Sequence, residues 1–116
     1  MNENFVSFSI AKKLKEKGYT LDTAHHYDDN GGIVVSLVEF DERCVYPCPE
    51  IHQVLRWLRE EKKIHICIGI CIAPTFSWDY EIVNLDDDCY IHAECGYDSY
   101  EDAASNGISY ILDNLI

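Results

Sequence analysis

Histidine and cysteine are the residues of this chain best suited to covalent chemistry. His65 and Cys67 stand two positions apart, which on a strand places both on one face as a candidate imidazole–thiolate pair, with Glu81 or Glu94 to orient the imidazole. A nucleophilic cysteine needs positive charge nearby to lower its thiol pKa, but no Lys or Arg follows position 63. We therefore predict no catalytic residue and no enzyme activity.

The six cysteines, at positions 44, 48, 67, 71, 89 and 95, are also candidate metal ligands. The close C-x2-C pairs of zinc sites are absent from the sequence, and Cys67 and Cys71 would lie about 13 Å apart on a straight strand. A chain with 47% hydrophobic residues does not depend on disulfides for its core. The spacing therefore predicts reduced, buried thiols that act as small hydrophobic side chains, with neither metal nor cofactor.

The consecutive residues Asp86, Asp87 and Asp88 are candidate calcium or magnesium ligands, because hard cations prefer carboxylates. An EF-hand loop beginning at Asn84 would need Gly at its sixth position and Glu at its twelfth, and this chain has Cys at both. The acidic run instead predicts a solvated hairpin turn.

Negative charge is concentrated in the second half of the chain. All nine basic residues lie within the first 63 positions beside eleven acidic ones, and ten carboxylates follow, so about ten units of the net charge of −12 belong to the second half. Phosphates would be repelled by such a surface, which makes nucleic-acid binding unfavourable. We predict instead that the second half binds a basic surface of a partner protein. The predicted binding residues are Asp86, Asp87, Asp88 and Glu94, which supply charge, and Trp78, Tyr80 and Tyr90, which supply aromatic anchors.

Three segments have the apolar periodicity of amphipathic helices. The first ends at Gly18, the second begins at Pro49, and the third follows Ser99, a favourable capping residue. Gly107 lies inside the third helix and weakens it by roughly 1 kcal/mol relative to Ala. The apolar stripes are Ile10, Ala11 and Leu14 in the first helix, Ile51, Val54, Leu55 and Leu58 in the second, and Ala103, Ala104, Ile108, Ile111, Leu112 and Leu115 in the third.

Alternating residues predict the strands. Five isoleucines occupy every second position from 64 to 72, which places all five on one buried face of a strand. Strands at 78–85 and 89–95 follow across the acidic turn, so the second half is an antiparallel meander. A further strand at 33–40 pairs with residues 25–27 across the glycine-containing turn at 28–32.

These elements predict one domain, residues 1–116, of the α+β class. We expect a three- to four-stranded, mainly antiparallel sheet with helices packed on one face. Either the third helix or a second copy of the chain, in a homodimer, would cover the opposite face. No stretch is apolar enough for a membrane span, and the apolar residues 5–10 precede the lysines, the reverse of a secretory signal, so the expected location is the cytoplasm.

Three stretches of the sequence carry a resemblance. They are residues 5–18 (FVSFSIAKKLKEKG), residues 49–62 (PEIHQVLRWLREEK), and residues 97–104 (YDSYEDAA) leading to 114–116 (NLI). Together they resemble a family of small uncharacterised proteins of gut Bacteroidales and of their phages and mobile elements. Members of that family usually have Thr at the position of Cys48, so the resemblance implies no shared role for the thiols. It implies an intracellular, phage-linked setting in which small acidic proteins act as inhibitors, adaptors or sponges.

We therefore predict a non-enzymatic acidic protein-binding module, either an adaptor or an inhibitor. One alternative is a nucleic-acid mimic that blocks a DNA-binding host protein, which requires rows of carboxylates on one surface in place of phosphates. The other is a small-molecule sponge or enzyme, which requires a deep pocket lined by His65, Trp78 and the cysteines.

Overall fold

The computed structural model describes residues 4–21, 23–36, 41–72 and 74–116. It has an α+β fold with three helices, which confirms the predicted class. Residues 37–40 of the strand predicted at 33–40 lie outside the described residues. The elements in chain order are α1 (Phe8–Glu16), β1 (His25–Tyr27), β2 (Ile33–Val35), β3 (Tyr46–Pro47), α2 (Ile51–Glu61), β4 (Ile64–Cys71), β5 (Ser77–Asn84), β6 (Cys89–Tyr97) and α3 (Tyr100–Asn114).

The strands form two antiparallel sheets. The smaller sheet has the order β2-β1-β3 and belongs to the first half of the chain, residues 4–63. Its β1–β2 hairpin was predicted and is confirmed, with Tyr27 paired to Ile33. In the turn, an Asp28 carboxylate oxygen accepts hydrogen bonds from the backbone amides of Asn30 and Gly32, at 2.9 and 2.8 Å. Strand β3 was not predicted, because two residues are too few to show periodicity.

The larger sheet has the order β4-β5-β6 and belongs to the second half, residues 64–116. Ile66 pairs with Ile82 and Ile68 with Tyr80, so these side chains share one face of the sheet, which we call the isoleucine face. In β6 the register shifts twice, once at each end of the strand, and the residues left over are Ile91 and Gly96. Gly96 has φ +96°, a conformation that glycine adopts freely.

Helix α3 packs on the isoleucine face, and Gly107 permits its close approach. A Cβ at position 107 would lie 3.2 Å from the Tyr80 ring and 3.3 Å from an Ile66 methyl group. The glycine that weakens the helix locally therefore lets it lie close to the sheet. Because α3 covers this face, it does not cover the opposite one, and that alternative is wrong.

The burial of the five isoleucines is graded along β4. Ile64 and Ile66 are buried, Ile68 is half-buried, and Ile70 and Ile72 are 50% and 72% exposed. The expectation that all five are buried is wrong for the last two. Periodicity correctly predicts that side chains share a face, but the cover provided by α2 and α3 ends before the strand does.

One hydrophobic core joins the two halves. It includes Leu14 of α1, Tyr27 of the small sheet, Leu58 of α2, Ile82 of the large sheet and Ile108 of α3. None of the helices in the described ranges is long and apolar enough to cross a bilayer.

Candidate binding surface

An exposed group of apolar side chains lies at the end of the large sheet where helical cover stops. We call Ile70, Phe76, Trp78 and Tyr100 the aromatic patch. Ile70 and Trp78 are register partners on β4 and β5. The Phe76 and Tyr100 rings each lie 6.0 Å from the Trp78 ring, between centroids, and each is nearly perpendicular to it at 88°. Phe76 is 60% exposed, Tyr100 40% exposed and Trp78 half-buried, so the fold covers the patch only in part.

The start of α3 determines where this patch begins. The Ser99 hydroxyl accepts a hydrogen bond of 3.0 Å from the backbone amide of Asp102 and so caps the helix. Tyr100 is consequently the first helical residue, and its ring contacts Trp78 at the limit of the helical cover. Past this point, Ile72 and Phe76 of the hairpin between β4 and β5 are 72% and 60% exposed.

Carboxylates lie close to Tyr100 in the chain and in the fold. Asp98, Glu101 and Asp102 lie at the start of α3, where they also interact favourably with the helix dipole. Glu101 and Tyr100 line a hollow of about 220 Å³ together with Glu50. The aromatic patch therefore has carboxylates beside it at Tyr100, which we call its acidic border.

Trp78 is the predicted anchor that lies in the patch. Tyr80, its neighbour two residues along β5, is only 1% exposed. The prediction of Tyr80 as an exposed anchor is therefore wrong: its ring belongs to the core beneath α3, where strand alternation has placed it. Its hydroxyl donates a 2.5 Å hydrogen bond to the Glu94 carboxylate, and burial, followed by that bond, raises the Tyr80 pKa far above its usual value.

Glu94 serves as a hydrogen-bond acceptor within the fold. The Tyr80 hydroxyl, and secondarily His92 with its ring nitrogen 3.4 Å away, lower the pKa of the Glu94 carboxyl. His92 in turn stacks on Tyr110 of α3, with ring centroids 4.0 Å apart and planes 6° from parallel. These contacts connect β6 to α3, so part of the charge predicted to face a partner is used inside the molecule.

The remaining predicted residues lie elsewhere. Asp86, Asp87 and Asp88 are exposed in the β5–β6 turn, about 20 Å from Trp78 along the strand. The predicted acidic turn is confirmed, and an Asp87 carboxylate oxygen accepts a 3.1 Å hydrogen bond from the Cys89 amide. Tyr90 is 61% exposed but pairs with Val83, on the face opposite the isoleucines. The seven predicted binding residues thus do not form one surface.

The cysteines are mostly not buried, contrary to prediction. Cys48 is buried, Cys44 and Cys71 are half-buried, and Cys67, Cys89 and Cys95 are exposed. Cys67 and Cys95 point away from α3, because they pair with Glu81 and Asp79 on the uncovered face. No disulfide joins any of the six, all of which are described.

The thiols lack the surroundings of a nucleophile or of a metal centre. Burial raises the pKa of Cys44 and Cys48, and a hydrogen bond with Asp87 raises that of Cys89. His65 and Cys67 share a face but no hydrogen bond joins them in the described part of the chain. Within the same part, no group of three or more potential ligands is placed to hold a metal ion.

Three members of the patch were not predicted from the sequence. Phe76 lies in a segment that reads only as a loop, and Ile70 reads as core. Tyr100 offered a signal, since it precedes Ala103 and Ala104 by three and four residues and so continues the apolar stripe of α3 beyond the core.

Comparison of the chain with family models, with curated proteins and with solved structures finds no match.

Proposed function

We propose that this protein is a non-enzymatic binding module, an adaptor or inhibitor, and that the aromatic patch is its contact surface. The observation that carries this proposal is the exposure of Phe76 and Tyr100 beside Trp78, next to the carboxylates of α3. Protein interfaces typically combine a central group of aromatic and aliphatic side chains with a polar border. Trp and Tyr are also the residues most enriched among those that dominate binding energy.

The charge of the second half supports a partner with a basic surface. No Lys or Arg follows position 63, so the carboxylates around the patch have little internal neutralisation. Complementary charge speeds association and selects among partners, while the buried rings supply most of the affinity. We place the protein in the cytoplasm, where its exposed thiols stay reduced. A setting among phages and mobile elements remains part of this proposal.

The distribution of carboxylates favours this function over nucleic-acid mimicry. A mimic needs carboxylates repeated along one surface, whereas here Asp87 and Glu101 lie at opposite ends of the large sheet and Glu81 lies on the uncovered face. The sponge alternative has less support than the patch. The hollow of about 710 Å³ beside α1 is lined by Lys12, Lys13, Lys15, Ser9, Glu16 and Tyr46 rather than by His65, Trp78 and the cysteines.

The test compares two variants as bait in cytoplasmic extract of the source cells. Phe76→Ser with Tyr100→Ser removes two exposed rings from the patch, and Tyr90→Ser removes an exposed ring from the other face. We expect the double variant to lose a partner that the wild type and Tyr90→Ser retain. With that partner purified, its dissociation constant should rise by about 30-fold for the double variant. Equal binding by all three baits would contradict the proposal.

A further inference from the structure

We propose that the aromatic patch receives a cationic side chain of the partner, a lysine ammonium or an arginine guanidinium, in the angle between two of its rings. This inference rests on the proposed function, since it uses the same surface, and it names the chemical group that the partner inserts.

The ring geometry suits a cation. Two perpendicular rings whose faces both lie about 4.2 Å from one cation have centroids separated by about 6 Å, well within the range of cation–π attraction. The pair Phe76 and Trp78 has this separation and angle, 6.0 Å and 88°, and so does the pair Trp78 and Tyr100. Rings in direct edge-to-face contact have a similar separation. Ring separation and angle are the same in both arrangements, so the preference for a cation rests on the exposure of Phe76 and Tyr100 and on the carboxylates beside Tyr100.

Other aromatic rings of this protein already have a cation of the same chain over one face. Three aromatic rings in the first half each have the ammonium group of a lysine over one face. Lys12 lies 4.8 Å from the Phe8 centroid, Lys15 5.2 Å from that of Tyr46, and Lys62 5.3 Å from that of Trp57. Among the described residues, no Lys or Arg makes such a contact with the rings of the patch.

Electrostatics favour a cation at this position. A ring face carries partial negative charge; Glu101, which lines a hollow with Tyr100, and Asp98, which lines the next hollow with Glu101, add full charges. Glu50, across the hollow of about 220 Å³ beside Tyr100, forms a 3.0 Å ion pair with His52, whose charge depends on protonation. The field at the patch therefore attracts positive charge and repels a carboxylate or phosphate.

The experiment uses the full chain labelled with ¹⁵N and follows the indole N–H signals of its two tryptophans. The probes are capped Gly-X-Gly peptides in which X is lysine, trimethyllysine, arginine or the neutral tert-butyl isostere of trimethyllysine. We expect the Trp78 signal to shift and saturate with the cationic peptides, while Trp57 stays unchanged. Trimethyllysine should bind about tenfold more tightly than its neutral isostere. The lysine and arginine arms identify the preferred side chain.

Matched variants locate the binding site. Phe76→Leu and Tyr100→Leu keep an apolar side chain but remove a ring, and each should weaken cation binding by about threefold to tenfold. Tyr90→Leu, the same change on the other face, should leave it unaltered. Asp98→Asn with Glu101→Gln should weaken binding more than Asp87→Asn with Asp88→Asn, which removes equal charge at the far end of the sheet. Thermal melts of all variants verify that they fold.

A Trp78 signal that ignores the cations, or that responds equally to the neutral isostere, would overturn this inference. Loss of the purified partner by the Phe76→Ser, Tyr100→Ser variant would then still support the proposed function. Conversely, cation binding at Trp78 together with unimpaired partner binding by that variant would support the cation site and contradict the proposed function.

Discussion

The two halves of this protein differ in how many of their charged and aromatic side chains have a partner within the same half. In the first half, Arg43 pairs with Asp41 and Arg56 with Glu60, and lysines cover three aromatic rings. In the second half the chain has carboxylates but no Lys or Arg, and of the patch rings Phe76 and Tyr100 are exposed while Trp78 is half-buried. The difference teaches that segregation of charge along a sequence has a local consequence: a carboxylate of the second half finds a lysine only in the first half, as Asp113 does in Lys13 at 3.0 Å.

The largest effect should separate the covered and uncovered ends of β4. Ile66→Asp places a carboxylate against Tyr80 and α3, where ionisation or desolvation costs several kcal/mol, comparable with the whole stability of a small domain. Ile70→Asp makes the same change on the same face, but at a side chain 50% exposed. We expect the first variant to be unfolded and the second to melt within a few degrees of wild type. Circular dichroism during urea titration measures both. Similar losses would show that cover extends along the whole strand.

The second effect compares a buried tyrosine from each half. The Tyr27 hydroxyl donates a 2.6 Å hydrogen bond to the buried Val6 carbonyl, and Tyr27→Phe should cost about 1–3 kcal/mol because that acceptor loses its strong partner. Tyr80→Phe should cost about 1 kcal/mol or less, because water can reach the half-exposed Glu94 carboxylate. Chemical denaturation gives both values. A larger cost for Tyr80→Phe than for Tyr27→Phe would mean that the Val6 carbonyl is not shielded from water, although Val6 is buried.

The third effect tests whether a lysine stabilises a ring in the first half. Lys62→Met keeps a long side chain but removes the cation over Trp57, and should cost about 0.5–1 kcal/mol. Lys63→Met removes the same charge from the neighbouring position without that contact, and serves as the control. Equal stability of the two variants would mean that the ring gains nothing from its cation, and would weaken the comparison between the halves.

The smallest effect concerns acid stability in the second half. Because the pKa of Glu94 is lowered in the fold, its contribution is complete above its ordinary value of 4.5 and is lost as the pH falls through the lower, folded value. Wild type should therefore lose stability more steeply than Glu94→Gln on acidification below that pH. Melting temperatures measured between neutral and acidic pH give the two slopes. Parallel profiles would show that the Tyr80–Glu94 hydrogen bond does not favour the ionised carboxyl.

Much of the fold follows from periodicity in the sequence. The isoleucine alternation locates β4, and the apolar stripes locate α2 and α3, because each records which side chains share a face. Glycine at 107 illustrates the limit of local reasoning. As a propensity it weakens α3, yet in the fold it allows the helix to approach Tyr80 and Ile66.

The binding surface was predicted less well than the fold. Charge counts located the acidic half, but not the separation of Asp87 from Trp78 or the burial of Tyr80. The burial of Tyr80 depends on where α3 begins and how it lies on β4 and β5, which is a property of packing rather than of any one segment. Periodicity makes no prediction about Phe76, because a loop residue does not belong to a repeating pattern of buried and exposed positions.

The double irregularity of β6 also bears on whether this edge of the sheet can pair with another molecule. As the outer strand of its sheet, β6 presents nine residues to any strand of another molecule, and a long regular edge invites pairing that grows into aggregates. The extra residues Ile91 and Gly96 interrupt the ladder near both ends, leaving 92–95 as the regular stretch between them. Glu94 lies within that stretch, so an antiparallel copy of β6 in the register centred on residue 94 would bring like charges together. Both features disfavour extension of the sheet at this edge.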